Sequence, residues 1–247
     1  MSFKDHFSDA SAQYAEFRPN YPDDLFAWLA NQCQKTDTAW DCATGSGQAA
    51  IGLAPYFRQV FASDASAEQI AHARAPSNVL FSVAPAEASG LKDCSVDLLT
   101  VAQASHWFDL PAFYAEARRI LKPGGLIALF GYGRVTLPGA MDVRFQRFYT
   151  DEIGGFWPPE RKLIDDKYQS LPFPFEESTA PPFFIEVTWD LPRLMAYLST
   201  WSAVKRARQQ TDSNPLPILE RALSPLWGSP QTAKRLKWPL FFRIGRV

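Results

Sequence analysis

The chain has 247 residues, 47% of them hydrophobic and 21% charged, and a formal net charge of −1 at pH 7. This length accommodates one α/β domain with a full core, and the composition is ordinary for a globular protein. The near-neutral charge argues against a strongly basic surface, so we expect no nucleic acid and no membrane among the partners.

The cysteines and histidines form no pattern typical of a disulfide framework or a metal site. Cys33, Cys42 and Cys94 lack a C-x-x-C spacing, and the three histidines are far apart in the sequence. We expect reduced thiols and no metal. The first residues are too polar for a signal peptide and no apolar run is long enough to span a membrane, so we expect a cytoplasmic protein.

Residues 1–37 precede the first predicted strand, and we interpret them as an N-terminal flap. Arg18 lies between Tyr14 and Tyr21 in this segment, which favours a flap over a ligand. A pair of covering helices is the alternative. Pro22 fits the start of a helix in either case.

Strands and helices alternate from Thr38 onward. The predicted strands are Ala39–Cys42, Val60–Ser63, Val79–Val83, Val96–Ala102 and Leu126–Phe130. The helices between them are one that reaches Phe57, one at Glu68–Arg74 and one at Leu110–Leu121. Alternation at this spacing predicts parallel strands joined by right-handed crossovers.

Residues 131–182 are rich in proline and aromatic residues and too long for a simple crossover, so we interpret them as an inserted cap. Two helices are predicted in it, at Met141–Ile153 and Pro159–Tyr168. The predicted elements after it are a strand at Phe183–Trp189, helices at Leu191–Arg208 and Pro217–Leu226, and a last strand at Trp238–Val247. We expect one domain spanning residues 1–247.

The stretch T-A-W-D-C-A-T-G-S-G-Q-A-A, residues 38–50, predicts a strand, a tight turn and a helix. Its glycines, Gly45 and Gly47, let the backbone approach a ligand closely, and the helix start offers unpaired N–H groups. Asp64 follows at the end of the second strand, about twenty residues beyond the glycines, where a carboxylate can accept hydrogen bonds from ribose hydroxyls. The pattern predicts a nucleoside-containing cofactor, and NAD is one candidate.

Asp41, at the end of the first strand, argues against NAD. A carboxylate beside a diphosphate is electrostatically unfavourable, whereas a carboxylate beside an ammonium group is favourable. The pattern therefore suits a cofactor with a ribose at one end and an amino acid at the other. An NAD-dependent oxidoreductase remains the alternative, although no Tyr-x-x-x-Lys follows the fourth strand.

The pattern D-x-A-x-G-x-G at Asp41–Gly47 resembles the class I S-adenosylmethionine-dependent methyltransferases of the type 11 group. Four further stretches resemble the trans-aconitate and cantharidin methyltransferase-like proteins: Y-x3-R-P-x-Y-P at 14–22, Ala86-Glu87, A-Q-A-S-H-W-F at 102–108, and T-W-S-A at 200–203. The resemblance covers nearly the whole chain. It implies a Rossmann-like α/β fold: a seven-stranded, mostly parallel sheet with an antiparallel last strand, helices on both faces, and a helical cap after strand five.

The resemblance also implies S-adenosylmethionine as the cofactor and assigns residues to it. The methionine part is cradled by Asp41, Ala43, Gly45 and Gly47, and the ribose is held by Asp64. Ala86 and Glu87 line the adenine, although Pro85 stands where many relatives have an acid. Gln103 and Ala104 lie near the sulfonium, Tyr14 offers it an aromatic face, and Arg18 holds the cofactor carboxylate.

The acceptor is predicted to be a small molecule, because the family's known substrates are small carboxylic acids. A carboxylate is ionised at pH 7 and needs no base, whereas a phenol, alcohol or amine would usually need one, and His106 is the candidate. A structural role for His106 is the alternative. The predicted substrate-pocket residues are Tyr21, Trp107, Trp157 and Trp201. A non-catalytic cofactor-binding protein of this fold is the remaining hypothesis.

Overall fold

A computed structural model describes residues 19–73, 76–211 and 213–247. Two predicted cofactor-binding residues, Tyr14 and Arg18, lie outside these ranges, as do residues 1–18 of the predicted N-terminal flap. In the described part of the chain, no helix is long and apolar enough to cross a membrane.

The strands are β1 (Thr38–Cys42), β2 (Gln59–Asp64), β3 (Val79–Val83), β4 (Val96–Ala102), β5 (Leu121–Tyr132), β6 (Glu176–Ser178), β7 (Phe184–Trp189) and β8 (Lys234–Arg246). The helices are α1 (Asp23–Gln32), α2 (Gln48–Leu53), α3 (Ala67–His72), α4 (Leu110–Ile120), α5 (Ala140–Arg147), α6 (Arg161–Asp165), α7 (Leu191–Ser199), α8 (Ser202–Thr211) and α9 (Leu216–Trp227). Short 3₁₀ turns occupy Ser105–Trp107 and Gly154–Phe156, and a π turn occupies Phe148–Glu152.

The strands form one sheet in the order β3-β2-β1-β4-β5-β8-β6, and β7 also pairs with β8. Strands β1 to β5 are parallel, and β8 is antiparallel to β5, β6 and β7. Among the described strands β8 alone therefore runs against the rest, as predicted for the last strand. The sheet has one strand more than predicted because three residues of the 131–182 segment, β6, pair with β8.

Hydrophobic side chains alternate between the two faces of the sheet and build a core on each. Leu98 and Ala128 pack in the core that includes Leu25 and Leu29 of α1. Their chain neighbours Leu99 and Ile127 pack in the core that includes Phe113 and Ala117 of α4. Because β4 is covered on both faces, six of its seven residues are buried, which explains its nearly continuous apolar sequence.

Several element boundaries differ from those predicted. Strand β5 begins at Leu121, which pairs with Val96, and the register shifts between Val96 and Leu98. The Lys-Pro-Gly-Gly segment therefore lies within the strand rather than separating it from α4, and Gly124 adopts there a positive φ of +76°, which favours glycine.

The helix predicted at Leu191–Arg208 is interrupted at Thr200–Trp201, between α7 and α8. The buried Trp201 packs against the aromatic rings of the 131–182 segment there, and the hydroxyls of Ser199 and Thr200 donate to helix carbonyls. The helix predicted at Met141–Ile153 ends as an α-helix at Arg147 and continues as the π turn.

Candidate active site

The turn after β1 is tied to β2 by backbone hydrogen bonds. Thr44 N–H donates to the Ser63 carbonyl at 2.9 Å, and Gly47 N–H donates back to the Thr44 carbonyl at 2.9 Å. Ala43, Gly45 and Gly47 have φ of +55°, +55° and +91°. An added Cβ at Gly47 would lie 2.9 Å from Phe81, whereas at Gly45 its nearest neighbour in the described chain would be 3.9 Å away. A Cβ would therefore collide with Phe81 at Gly47, whereas at Gly45 it would make only ordinary van der Waals contact.

Asp41 lies beneath this turn and is almost completely buried, with 1% of its surface exposed. Its Oδ2 accepts hydrogen bonds from Thr44 Oγ1 at 2.5 Å and Ala50 N at 3.1 Å, and its Oδ1 accepts one from Thr100 Oγ1 at 2.8 Å. Burial raises the pKa of Asp41 to about 6, against the effect of these three donors. The carboxylate holds the turn, the start of α2 and β4 together, a structural role that the sequence did not predict.

Asp64 ends β2 and faces the same turn from the other side. Its Oδ2 accepts the Gly45 N–H at 2.9 Å, and its Oδ1 accepts the Ser66 N–H at 2.9 Å. The side chain is partly exposed. A carboxylate has about four lone-pair positions, so each oxygen can accept one further hydrogen bond. Gly45 and Asp64, which are about twenty residues apart in the sequence, are thus in direct hydrogen-bond contact.

The predicted adenine-lining residues follow β3. Ala86 is buried, and Glu87 accepts the Asp109 N–H at 3.0 Å through Oε1. Pro85, which precedes them, is exposed. Glu87 therefore ties the segment after β3 to the start of α4.

Gln103 and Ala104 leave the end of β4 beside the turn. Gln103 has φ +60° and its Nε2 donates to the Tyr132 carbonyl at 2.8 Å. Its Oε1 is buried and has no hydrogen-bond partner among the described residues. A buried acceptor without a donor is costly, so this oxygen is available to a ligand donor at the end of β4.

His106 lies on the 3₁₀ turn after β4 and contacts the 131–182 segment. Its Nδ1 is 2.8 Å from the Tyr168 hydroxyl, and its ring packs on Trp107 at a centroid distance of 4.8 Å. Burial, reinforced by the positive charge of Arg161, lowers the pKa of His106 to about 4. Burial raises the pKa of the Tyr168 hydroxyl. Both groups are therefore neutral at pH 7.

The four predicted pocket residues fall into three places. Trp157 and Trp201 contact each other at a centroid distance of 5.3 Å and both contact Tyr149. Trp107 is 41% exposed beside His106. Tyr21 is buried against Phe130, Phe26 and Tyr132, close to β5 rather than to the two tryptophans.

Comparison with known proteins decides the family. Residues 40–129 match the family model described as a methyltransferase domain. A methyltransferase of Dictyostelium discoideum is 36% identical over 225 residues, which are 90% of this chain and 86% of that protein. A solved structure of a type II methyltransferase from Anaeromyxobacter dehalogenans has a TM-score of 0.90 and 43% sequence identity, over 93% of this chain and 97% of that one.

The chain belongs to the class I S-adenosylmethionine-dependent methyltransferases. Membership decides against the alternative of an NAD-dependent oxidoreductase, and the cofactor is S-adenosylmethionine. This methyltransferase is also similar to the S-adenosylmethionine-dependent methyltransferase CRG1 of Saccharomyces cerevisiae, with 28% identity over 65% of this chain and 57% of that protein.

The site of this methyltransferase fits the cofactor on its own geometry. The cofactor brings ribose hydroxyls, which can donate hydrogen bonds to the free lone pairs of Asp64 beside Gly45. It also brings donors that the buried Gln103 Oε1 lacks. Within the described ranges, no group of three or more His, Cys, Asp and Glu could hold a metal ion.

Three contributors at the site were not predicted from the sequence. Thr100 binds Asp41 across the β1–β4 pair, and Tyr168 binds His106 from 62 residues further along the chain. Arg161 lies near both His106 and Trp157. The contacts of Tyr168 and Arg161 depend on how the 131–182 segment folds back over β4, and no local sequence pattern indicates that.

Proposed function

We propose that this methyltransferase transfers a methyl group to a carboxylate oxygen of a small molecule, as the resemblance to the trans-aconitate methyltransferase-like proteins suggests. The observation that supports this proposal is the His106–Tyr168 contact, because it disfavours a general base at the site. A carboxylate acceptor is ionised at pH 7 and needs none. The rest of the protein's task is alignment of the acceptor and exclusion of water.

The tautomer of His106 follows from hydrogen-bond accounting. Tyr168 is fully buried, and His106 Nδ1 is the one partner of its hydroxyl among the described residues. If Nδ1 carried the ring proton, the phenol proton would be buried without an acceptor, at a cost of about 1–3 kcal/mol. The phenol therefore donates to Nδ1, and the neutral ring carries its proton on Nε2. In this state His106 is a hydrogen-bond donor at Nε2, which suits an acceptor oxygen that bears negative charge.

The cofactor supplies a methyl group on a positively charged sulfur. In our proposal, Asp64 accepts the ribose hydroxyls, Ala43, Gly45 and Gly47 lie along the methionine part, and Ala86 and Glu87 line the adenine. Gln103 and Ala104 lie near the sulfur. Outside the described ranges, Tyr14 and Arg18 are proposed for the sulfonium and the carboxylate.

Asp41 has a different role in this proposal from the one that the sequence suggested. Its three hydrogen bonds go to the protein itself, so its negative charge acts on the cofactor's ammonium group through space rather than through a direct ion pair. The buried charge still disfavours a diphosphate at this turn.

Trp157, Trp201, Trp107 and Tyr21 line the acceptor pocket, and Tyr21 packs there against β5. Residues 1–37 form a flap and residues 131–182 a cap that encloses a small-molecule acceptor within a single domain. We expect the enzyme to act in the cytoplasm, without nucleic acid or membrane as partners.

The test is a transfer assay with S-adenosylmethionine labelled in its methyl group and a panel of small carboxylic acids, phenols and amines. Methyl esters hydrolyse in alkali and release volatile labelled methanol, whereas phenol ethers and methylamines do not. We expect labelled methanol from the acids. Label that stays bound to a phenol or an amine after alkali, with no methanol released, would replace carboxyl methylation with another acceptor class.

A further inference from the structure

The 131–182 segment contains an arginine, Arg161, whose Nε atom is held by hydrogen bonds. The Nε of Arg161 donates to Tyr149 Oη at 2.7 Å and to Asp165 Oδ1 at 3.2 Å. The guanidinium carbon lies 4.7 Å from the ring centroid of Trp157 and 5.4 Å from that of Tyr149. With 15% of its side chain exposed, Arg161 has a fixed position and little contact with solvent.

The outer part of this guanidinium has unused donors. Its two Nη nitrogens make no hydrogen bond in the described chain, and the ion pair with Asp165 is hydrogen-bonded through Nε. The neighbouring Trp157 Nε1 is buried and also lacks an acceptor there. A buried indole N–H without an acceptor costs free energy, and a guanidinium fork is the group that best matches a planar anion. The Arg161 Nη groups and the Trp157 Nε1–H are therefore neighbouring donors that can bind an acceptor from a ligand.

The segment that carries the two donors contacts the 3₁₀ turn after β4. His106, three residues beyond Gln103, is hydrogen-bonded to Tyr168, which follows closely after α6, the helix that begins at Arg161. The positive charge of Arg161 contributes to the lowered pKa of His106, as expected for groups that are close in space. Trp157 also packs on Trp201, so an apolar wall adjoins the donors.

We propose that Arg161 and Trp157 form an anion-binding subsite that holds a non-reacting anionic group of the methyl acceptor. A carboxylate clamped by a guanidinium is a poorer nucleophile, so the group bound here is not the one that is methylated. The acceptor then carries two anionic groups joined by a body that packs against the tryptophans. This inference rests on the proposed transfer to a carboxylate at the end of β4.

The test compares ligands that differ in one charge. Calorimetry on the protein saturated with S-adenosylhomocysteine measures binding of terephthalate against 4-carbamoylbenzoate, and of glutarate against glutaramate. In each pair an amide of the same size replaces one carboxylate. We expect the diacid of at least one pair to bind about tenfold or more tightly than its amide partner, as for charge-assisted hydrogen bonds. Equal binding within both pairs, including no binding by any ligand, overturns the inference.

Variants test whether the preference for the diacid depends on Arg161 and Trp157. Arg161→Gln should abolish the preference for the diacid, Arg161→Lys should restore part of it, and Trp157→Phe, which keeps a ring without the N–H, should reduce it several-fold. Arg193→Gln is the matched control, because Arg193 also stacks on a tryptophan, Trp189, but lies on α7. Binding of S-adenosylhomocysteine shows that each variant is folded. A preference that survives in Arg161→Gln overturns the assignment.

The outcomes separate this inference from the proposed function. Carboxyl methylation without any preference for a second charge retains the function and removes the subsite. A charge preference that depends on Arg161, together with transfer to a phenol or amine, retains the subsite and removes carboxyl methylation.

Discussion

Replacing Thr100 by valine removes one of the three donors to the buried Asp41 carboxylate while keeping the shape of the side chain. Thr100 is fully buried, and its hydroxyl is 2.8 Å from Asp41 Oδ1. Water cannot replace the lost donor without opening the sheet. A hydrogen bond to a charged group contributes about 1.5–3 kcal/mol, so we expect the free energy of unfolding to fall by that amount at pH 8.

The loss of stability in Thr100→Val should depend on pH, and the pKa of Asp41 determines whether it is larger at high or at low pH. That pKa is raised to about 6 in the folded protein, whereas an unfolded aspartate titrates near 4. The carboxyl therefore stabilises the wild-type fold most below pH 4, and this contribution is lost as the pH rises through about 6. Below pH 6 the Thr100 hydroxyl faces a neutral acid, so the cost of Thr100→Val should become smaller.

Thermal unfolding at pH 8 and pH 5 measures both effects. For a chain of this size we expect the melting temperature of Thr100→Val to drop by about 3–12 °C at pH 8, and by less at pH 5. Thr136→Val is the control, because the Thr136 hydroxyl donates at 2.9 Å to a neutral acceptor, the Lys237 carbonyl. If Thr100→Val costs no more than this control at pH 8, or costs the same at both pH values, Asp41 is not the buried charge that organises the turn.

Two further predictions concern the turn and the histidine. Gly47→Ala should lower the free energy of unfolding by about 1–3 kcal/mol and weaken binding of S-adenosylhomocysteine in calorimetry, because Gly47 has φ +91° and its added Cβ would lie 2.9 Å from Phe81; wild-type affinity would refute this. His106→Gln keeps a side-chain N–H donor and should retain turnover within about tenfold in steady-state kinetics, whereas a loss of 10²–10⁴ would identify His106 as a general base.

The fold and the cofactor turn could be predicted from the sequence because their patterns are local. Glycines at 45 and 47 after an apolar strand, and an acid about twenty residues later, are close in the chain. In the structure, the Gly45 N–H donates a hydrogen bond to the Asp64 carboxylate. The order of strands and helices predicted the parallel sheet for the same reason.

Contacts between distant segments could not be predicted. The burial of Asp41 depends on Thr100, which comes next to it only because β4 pairs with β1. A pattern that places an acid at a strand end does not say whether the acid points to a ligand or into the protein. The sequence therefore singled out Asp41 but left its contacts open.

The aromatic composition of the 131–182 segment could be read from the sequence, but the contacts of its residues could not. Its aromatic residues suggested a pocket wall, but the partner of His106 proved to be Tyr168, and Arg161 was not singled out. Both residues lie on or near a short helix whose position is set by packing against the end of the sheet. Long-range packing of this kind has no periodic pattern in a single sequence.

We propose that Asp64, at the end of β2, holds the ribose of S-adenosylmethionine through its carboxylate. Calorimetry of S-adenosylhomocysteine binding to wild type and Asp64→Asn tests it most directly, with Asp190→Asn as the control, since Asp190 also accepts a backbone N–H, that of Arg193. We predict at least a tenfold loss of affinity for Asp64→Asn, because charge-assisted hydrogen bonds to the ribose are lost, and wild-type affinity for the control. Unchanged affinity in Asp64→Asn would contradict the account.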